Sequence, residues 1–279
     1  MQLKQALSDA VTQLTAADVG SPRMNAEVLL MFVLGCDRAY LYAHPERELT
    51  ADESARYDEA LAERSRGVPS QYITGHQEFW GLDLIVTPAV LIPRPETEHL
   101  VEATLELARA IERPRIIDVG TGSGCVALAL ASELTQAEFE AVDISSEALE
   151  IARSNAARLA LDGRVRFRQT NLLEGVASES FDFVVSNPPY VGESEADKVQ
   201  REVRKFEPHI AVFGGPEGLD VYRRLIPQGR AVLRPGGYLL MEIGFSQERA
   251  IRELLADWAE VRSVPDLQGI PRVVVAKKN

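Results

Sequence analysis

The 279 residues carry 30 Lys and Arg against 42 Asp and Glu, a net charge of −12, and 46% of them are hydrophobic. That is enough apolar material for one or two domains with full cores, and the acidity excludes a generally basic surface for nucleic acid, though not a local basic patch. The densest apolar run, Val28 to Leu34, is far too short to span a bilayer.

The first residues, Met1 to Leu7, read as an amphipathic helix with no signal-peptide core. Apolar residues then recur at helical spacing in Leu3, Leu7, Val11 and Leu14, in Ala26, Leu29, Leu30 and Val33, and around Tyr57 and Leu61. Breaks at Gly20-Ser21-Pro22, at Gly35 to Arg38, at His44-Pro45 and at Arg66-Gly67-Val68-Pro69 divide this stretch into four or five short helices. A small helical bundle is expected over residues 1–72, as a substrate-recognition domain. Residues 1–70 hold seven Lys or Arg against eleven Asp or Glu, a poor face for DNA.

Glu78 to Val86 has strand composition with Gly81 at a bend, so residues 73–95 are expected to form a linking β-hairpin and a proline loop. Arg94 and Glu96 lie in that stiff loop and can either line a site or belong to a plain extended connection. Over residues 96–279 strands alternate with helices: Arg115 to Val119, Glu138 to Asp143, Arg164 to Arg168, Phe181 to Ser186 and Gly237 to Ile243. This alternation predicts an α/β fold with a mostly parallel sheet between helices. Ser145 or Ser146 can cap a helix, Arg234-Pro235-Gly236-Gly237 reads as a turn before a strand, and Val261 to Val264 can pair with Arg272 to Lys277 at the sheet edge.

Two segments carry chemistry. Gly120-Thr121-Gly122-Ser123-Gly124 sits between a buried strand and an apolar helix, where glycines let the backbone approach a ligand. Asp143 ends the next strand, placed to bind ribose hydroxyls. The pair fits a nucleoside cofactor, and Gly122 to Ala127 also fits a dinucleotide pattern, so a nicotinamide oxidoreductase or a non-catalytic binding module stands as a rival. Asn187-Pro188-Pro189-Tyr190 follows the strand Phe181 to Ser186. It could be only a turn. It also suits methylation of a planar nitrogen: the Asn187 side-chain carbonyl and the Pro188 backbone carbonyl can each accept one N–H, and Tyr190 can pack on the flat group. All these residues would face one crevice beyond the carboxyl ends of the strands.

These motifs, with Gln71-Tyr72-Ile73-Thr74-Gly75, Glu78-Phe79-Trp80, Leu91-Ile92-Pro93-Arg94-Pro95-Glu96-Thr97-Glu98, Glu207-Pro208 and Gly214-Gly215-Pro216-Glu217-Gly218-Leu219, resemble in order and spacing the N5-glutamine methyltransferases that modify the Gly-Gly-Gln loop of peptide chain release factors. The resemblance implies a Rossmann-like class I methyltransferase domain with a seven-stranded sheet, one strand antiparallel. It implies S-adenosyl-L-methionine as cofactor, with S-adenosyl-L-homocysteine as product. It further implies Gly120 to Gly124, Asp143, Asn171, Leu172 and Asn187 as cofactor contacts, and Asn187, Pro188, Pro189 and Tyr190 as the catalytic, substrate-binding set. Where the family often has an acidic then an aromatic residue near the adenine, this chain has Asn171-Leu172. A related enzyme class methylates a large-subunit ribosomal protein with the same tetrapeptide, and nucleic-acid amino methyltransferases share it too. The segment Pro93 to Glu98 is similar to the release-factor enzymes. A monomer with a protein substrate, no nucleic-acid partner and no membrane is expected. Cys36 and Cys125 are unpaired in pattern, which points to a reducing, cytoplasmic setting. His44, His76, His99 and His209 show no ligand spacing, so no metal is expected.

Overall fold

Leu3, Ala6, Ala10 and Leu14 form one stripe of the first helix, α1 (Leu3–Ala16), and all four are buried, as a 3.6-residue period requires. In the computed structural model, which describes residues 1–279, this helix opens the first of two compact units, Met1–His76 with Gln200–Phe206. Pro22 begins α2 (Pro22–Leu34), and Gly35 ends it in the left-handed conformation at φ 61°. Then follow α3 (Arg38–Ala43), α4 (Ala51–Ser65) and α5 (Ser70–Thr74). Thr50 and Glu53 close a capping box on α4. The expected breaks therefore fall where the helices end.

The core of this unit gathers Leu29, Leu30, Tyr57 and Leu61, and the Tyr57 hydroxyl donates to the Ala26 carbonyl at 2.9 Å. Arg64 is buried with every arm used: Nε donates to Asn25 Oδ1 (2.8 Å), Nη1 to the Val68 carbonyl (3.0 Å) and Nη2 to Glu202 (2.7 Å). A guanidinium leaves water at bearable cost only when paired in this way. Residues 200–206 thus return to the helical unit, an excursion with no sequence signal.

The second unit is Gln77–Val199 with Glu207–Asn279. Strands β1 (His76–Phe79) and β2 (Leu82–Ile85) make a separate two-stranded sheet. Trp80 and Gly81 between them both have positive φ, 55° and 72°, which suits a tight hairpin turn. A 3₁₀ turn, Pro95–Thr97, leads into α6 (Glu98–Ala108). The chain then runs through β3 (Arg115–Val119), α7 (Cys125–Glu133), β4 (Glu138–Asp143), α8 (Ser146–Arg158), β5 (Val165–Gln169) and β6 (Phe181–Ser186). It continues through α9 (Arg201–Phe206) of the first unit, α10 (His209–Val212), α11 (Asp220–Val232), β7 (Leu233–Glu242), α12 (Glu248–Leu254), β8 (Ala259–Pro265) and β9 (Pro271–Lys277).

The seven-stranded sheet has the order β5-β4-β3-β6-β7-β9-β8, parallel except for β9. Alternate residues feed two cores, Ile116, Phe183 and Val185 on one face and Ile117, Val119 and Val184 on the other, as a pleat with period two demands. Ser145 caps α8 by accepting from the Ala148 N–H.

Several strand ends shift by a few residues from the sequence expectation, and two of the shifts have a visible cause. Arg164 lies outside β5: its N–H bonds the Leu161 carbonyl and its guanidinium holds the Leu134 and Ala137 carbonyls, so it belongs to the turn. Strand β7 begins before the Pro-Gly-Gly turn, which survives as a bulge between the pairs Phe181–Leu233 and Phe183–Tyr238.

Asn155, fully buried on α8, stitches the hairpin to the glycine loop. Its Oδ1 accepts from the Ile85 N–H at 2.7 Å, and its Nδ2 donates to the Ile85 and Ser123 carbonyls at 3.0 and 2.9 Å. Asn155→Ala leaves these groups unpaired in an apolar setting, so it should lower unfolding free energy by about 2–3 kcal/mol. Urea unfolding of the two proteins reads this directly; equal midpoints would overturn it.

Candidate active site

In the sheet, β3 starts the chain's path outward through β4 to β5, and β6 returns to the other side of β3. The order reverses there, and such a switch point leaves a crevice at the strands' carboxyl ends. Val119 pairs with Ser186, and the Ser186 hydroxyl donates to the Val119 carbonyl at 2.7 Å. Gly120 and Asn187, the residues that follow, are therefore neighbours across the crevice. A cavity of about 210 Å³ opens between them, lined among others by Gly120, Thr121, Gly122, Ser123, Asp143 and Asn187.

Each part of the cavity wall has a local cause. Gly120 and Gly122 hold φ of 73° and 56°, and a Cβ on either would meet nothing within 4 Å. The space before them is open to a ligand, and the backbone conformation favours glycine. Gly124 does a different job: its Cβ would press on Leu128 at 3.1 Å and on Ala152 at 3.3 Å, so this glycine lets α7 start close against α8. Asp143 is tied by two backbone donors, Gly122 N–H to Oδ2 and Ser145 N–H to Oδ1, each at 2.9 Å. Burial raises its pKa, and those two bonds oppose the rise. The Ser123 hydroxyl is buried without a hydrogen-bond partner.

Asp118 also lines the cavity, an acid set between Ile117 and Val119. Burial pushes it up to about 7 although the Thr121 hydroxyl donates to it at 2.7 Å. Beside it the Cys125 thiol is pushed up to about 12 by burial, which keeps it neutral and a poor nucleophile.

The tetrapeptide is held from three sides. Asn187 Nδ2 donates to Thr97 Oγ1 at 3.0 Å, and Thr97 Oγ1 donates to Glu242 Oε2 at 2.7 Å. The Tyr190 hydroxyl donates to the other oxygen of Glu242 at 3.2 Å, and its carbonyl accepts from Gln247 Nε2 at 2.8 Å. A Cβ on Gly214 or Gly218 would collide with the carbonyls of Pro189 and Tyr190, which explains the glycines of the Gly214 to Leu219 loop. On the opposite wall Glu207 accepts from the Ile92 N–H at 3.1 Å and pairs with Arg94, itself a lining residue.

Of the residues singled out in the sequence, the glycine loop, Asp143 and Asn187 come together at the cavity. Pro188, Pro189 and Tyr190 lie outside its lining, and the Tyr190 hydroxyl is turned to Glu242. Asn171 and Leu172 lie outside its lining: Asn171 Oδ1 accepts from Arg224 at 2.9 Å, and Leu172 adopts φ 53°. His44 packs on Tyr40 and His209 on Phe213, and no cluster of His, Cys, Asp or Glu is placed to hold a metal. Asp118, Thr97, Glu242 and Gln247 escaped sequence reasoning as site residues. For Asp118 and Glu242 a signal existed, a carboxylate inside an apolar strand, since acids are almost never buried without a reason.

A PrmC N-terminal domain model matches residues 5–75, and a methyltransferase small domain model matches residues 97–206. A release factor glutamine methyltransferase of Koribacter versatilis is 60% identical over 279 residues, covering 100% of this chain and 99% of the relative. One of Moorella thermoacetica is 44% identical over 279 residues, covering 99% and 98%. The crystal structure of a methyltransferase from Pyrococcus furiosus superposes with a TM-score of 0.53 at 19% identity, covering 71% of this chain and 90% of that one, a likeness of fold. With near full-length coverage on both sides at 60% and 44% identity, the chain belongs to the family of release factor glutamine methyltransferases.

Proposed function

We propose that Asn187 and Pro188 clamp the side-chain amide of a glutamine in an enzyme that methylates its N5 nitrogen, the glutamine being that of the Gly-Gly-Gln loop of peptide chain release factors. One observation carries the clamp. Because Asn187 Nδ2 is committed to Thr97, the carbonyl end of that amide is the end left for the cavity. A carbonyl is what an amide N–H needs. The Pro188 carbonyl, stiffened by two successive rings, is the second acceptor.

The cavity fits the family's cofactor. Open space before Gly120 and Gly122, the unpartnered Ser123 hydroxyl and the two acids suit a nucleoside that carries positive charge. S-adenosyl-L-methionine, bound there, supplies a methyl carbon on a cationic sulfonium and leaves as S-adenosyl-L-homocysteine. Asp143, with lone pairs to spare beyond its two backbone bonds, is assigned to the ribose hydroxyls. Asp118, which also lines the cavity, would favour the cationic group electrostatically.

An amide nitrogen attacks poorly because its lone pair is delocalised. By gripping both N–H groups, Asn187 and Pro188 favour the pyramidal nitrogen that develops during attack, a preference for the transition state over the ground state. Position and approach supply the rest. The proton becomes acidic only after transfer, so water suffices to remove it and no residue is assigned as base.

Two unpaired cysteines and a substrate from translation termination support the cytoplasm; no helix is long and apolar enough to cross a membrane. Recognition of the release factor is assigned to the helical unit Met1–His76 with Gln200–Phe206, since the cofactor cavity and the clamp are built wholly from the second unit.

Labelled S-adenosyl-L-methionine should mark a purified release factor and not its Gln-to-Ala variant in the Gly-Gly-Gln loop. Label on the large-subunit ribosomal protein or on DNA instead would reassign the substrate. Asn187→Ala should lower kcat by at least about 10²–10³-fold, the usual cost of one lost transition-state contact, with S-adenosyl-L-homocysteine affinity nearly unchanged. Asp143→Ala should instead weaken donor binding by about 1.5–3 kcal/mol; calorimetry on both variants separates the two roles. Because Asp118 sits near 7 and a cation favours its ionised form, donor binding should release a proton and weaken as pH falls from 8 to 6. Binding heats that do not depend on the buffer's ionisation enthalpy would count against this role.

A further inference from the structure

We infer that Glu242 is a positioning residue for the methyl transfer: acting through Thr97, it sets which end of the Asn187 amide faces the substrate, and it does so only while ionised. This rests on Asn187 as the acceptor of a glutamine N–H.

The inference follows from proton counting in a closed space. Thr97 and Glu242 are 1% and 2% exposed, so their bonds to each other and to Asn187 are set within the protein. A threonine hydroxyl has one proton, and a carboxylate can only accept. Thr97 therefore spends its proton on Glu242 Oε2 and offers Asn187 nothing but lone pairs. Asn187 must meet those lone pairs with its NH₂ end, which turns its carbonyl to the cavity. Protonation of Glu242 reverses the chain. The carboxylic acid then donates to Thr97, the threonine proton is released toward Asn187, and the Asn187 carbonyl turns inward to take it. The NH₂ end is left facing the N–H groups of the substrate, donor against donor, and the clamp is lost.

The same carboxyl holds the far end of the tetrapeptide, since the Tyr190 hydroxyl spends its one proton on Oε1. Other groups facing Glu242 are fixed in kind. Tyr222 of α11 donates its hydroxyl to the Glu242 backbone carbonyl at 2.7 Å, and Cys125 of α7 stays neutral. Arg272 of β9 favours the ionised form and Glu96 of the 3₁₀ turn opposes it. Burial is the largest influence and pushes Glu242 up to about 7, with the bonds from Thr97 and Tyr190 pulling the other way. The reversal thus falls in a range that kinetics can reach.

The test is kcat against pH from 5.5 to 9 on release factor at saturating donor and substrate, so that the titration of Asp118 in donor binding drops out. The wild type should lose about tenfold per pH unit below an apparent pKa near 7. Thr97→Val cannot relay the proton count: it should lower kcat at pH 8 by about tenfold and flatten the acid limb, while Thr97→Ser restores both. Glu242→Gln cannot ionise and should also give a flat, lowered profile. S-adenosyl-L-homocysteine affinity should be unchanged in all three, which shows that each is folded; if Thr97→Val fails that check, Glu242→Gln and Thr97→Ser carry the test. Wild-type kcat and a wild-type acid limb in Glu242→Gln would overturn the inference. Asn187→Ala runs alongside. If it stays active the clamp itself is wrong, whereas an inactive Asn187→Ala beside unaffected Thr97 and Glu242 variants removes the positioning role alone.

Discussion

The site depends on one pairing, that of β3 with β6. Val119 and Ser186 stand side by side in the parallel ladder, and the Ser186 hydroxyl adds a bond to the Val119 carbonyl. Because both strands end at this pair, the glycine loop and the tetrapeptide leave the sheet next to each other and in the same direction. A slip of one residue would turn every side chain of β6 to the other face and carry Asn187 away from the cavity. The two cores prevent that slip: Phe183 and Val185 on one face and Val184 on the other each have a filled place. Hydrophobic packing thus sets the register, and register sets the distance between the glycine loop and the tetrapeptide.

The second constraint is electrostatic. Asp118 and Glu242 lie in β3 and β7, the strands on either side of β6, each surrounded by apolar residues. Burial raises both, to about 7. A core built for stability alone would place an aliphatic residue at either position, because a buried acid costs free energy even when bonded. Each acid instead meets one half of the chemistry: Asp118 faces the cavity with Thr121, and Glu242 faces the tetrapeptide with Thr97 and Tyr190. The two share no hydrogen-bond partner, though both act on the Cys125 thiol.

Much of this was legible in the sequence. The helix breaks at Gly20-Ser21-Pro22 and Arg66 to Pro69, the hairpin turn at Gly81, the mostly parallel sheet implied by alternation and the meeting of Gly120 to Ser123, Asp143 and Asn187 all follow from periodicity, turn chemistry and motif spacing. What was not legible depends on contacts between residues far apart in the chain. Thr97 and Glu242 are 145 positions apart, and Asn155 reaches back 70 positions to Ile85. Neither has a local pattern. Asn155 looks like one more polar residue on an amphipathic helix until the hairpin is laid against it. The return of residues 200–206 to the helical unit is invisible for the same reason: its anchor is Arg64, whose burial only the tertiary fold creates.

Rigidity at the tetrapeptide comes from backbone crowding as much as from its prolines. The Gly214 to Leu219 loop lies so close to the Pro189 and Tyr190 carbonyls that no side chain fits at Gly214 or Gly218, and Gln247 bridges the Tyr190 and Gly218 carbonyls from behind. Proline fixes φ but leaves ψ free; contact with that loop and the Gln247 bridge restrain what remains. In the proposed reaction, where the protein supplies geometry rather than a base, such restraint has a direct kinetic meaning. A clamp that must reorganise during attack spends part of its stabilisation on itself, whereas one held in advance delivers it to the developing bond. The Thr97 hydroxyl, which accepts from Asn187 Nδ2, adds a restraint that packing cannot supply, since the two ends of an amide are nearly isosteric.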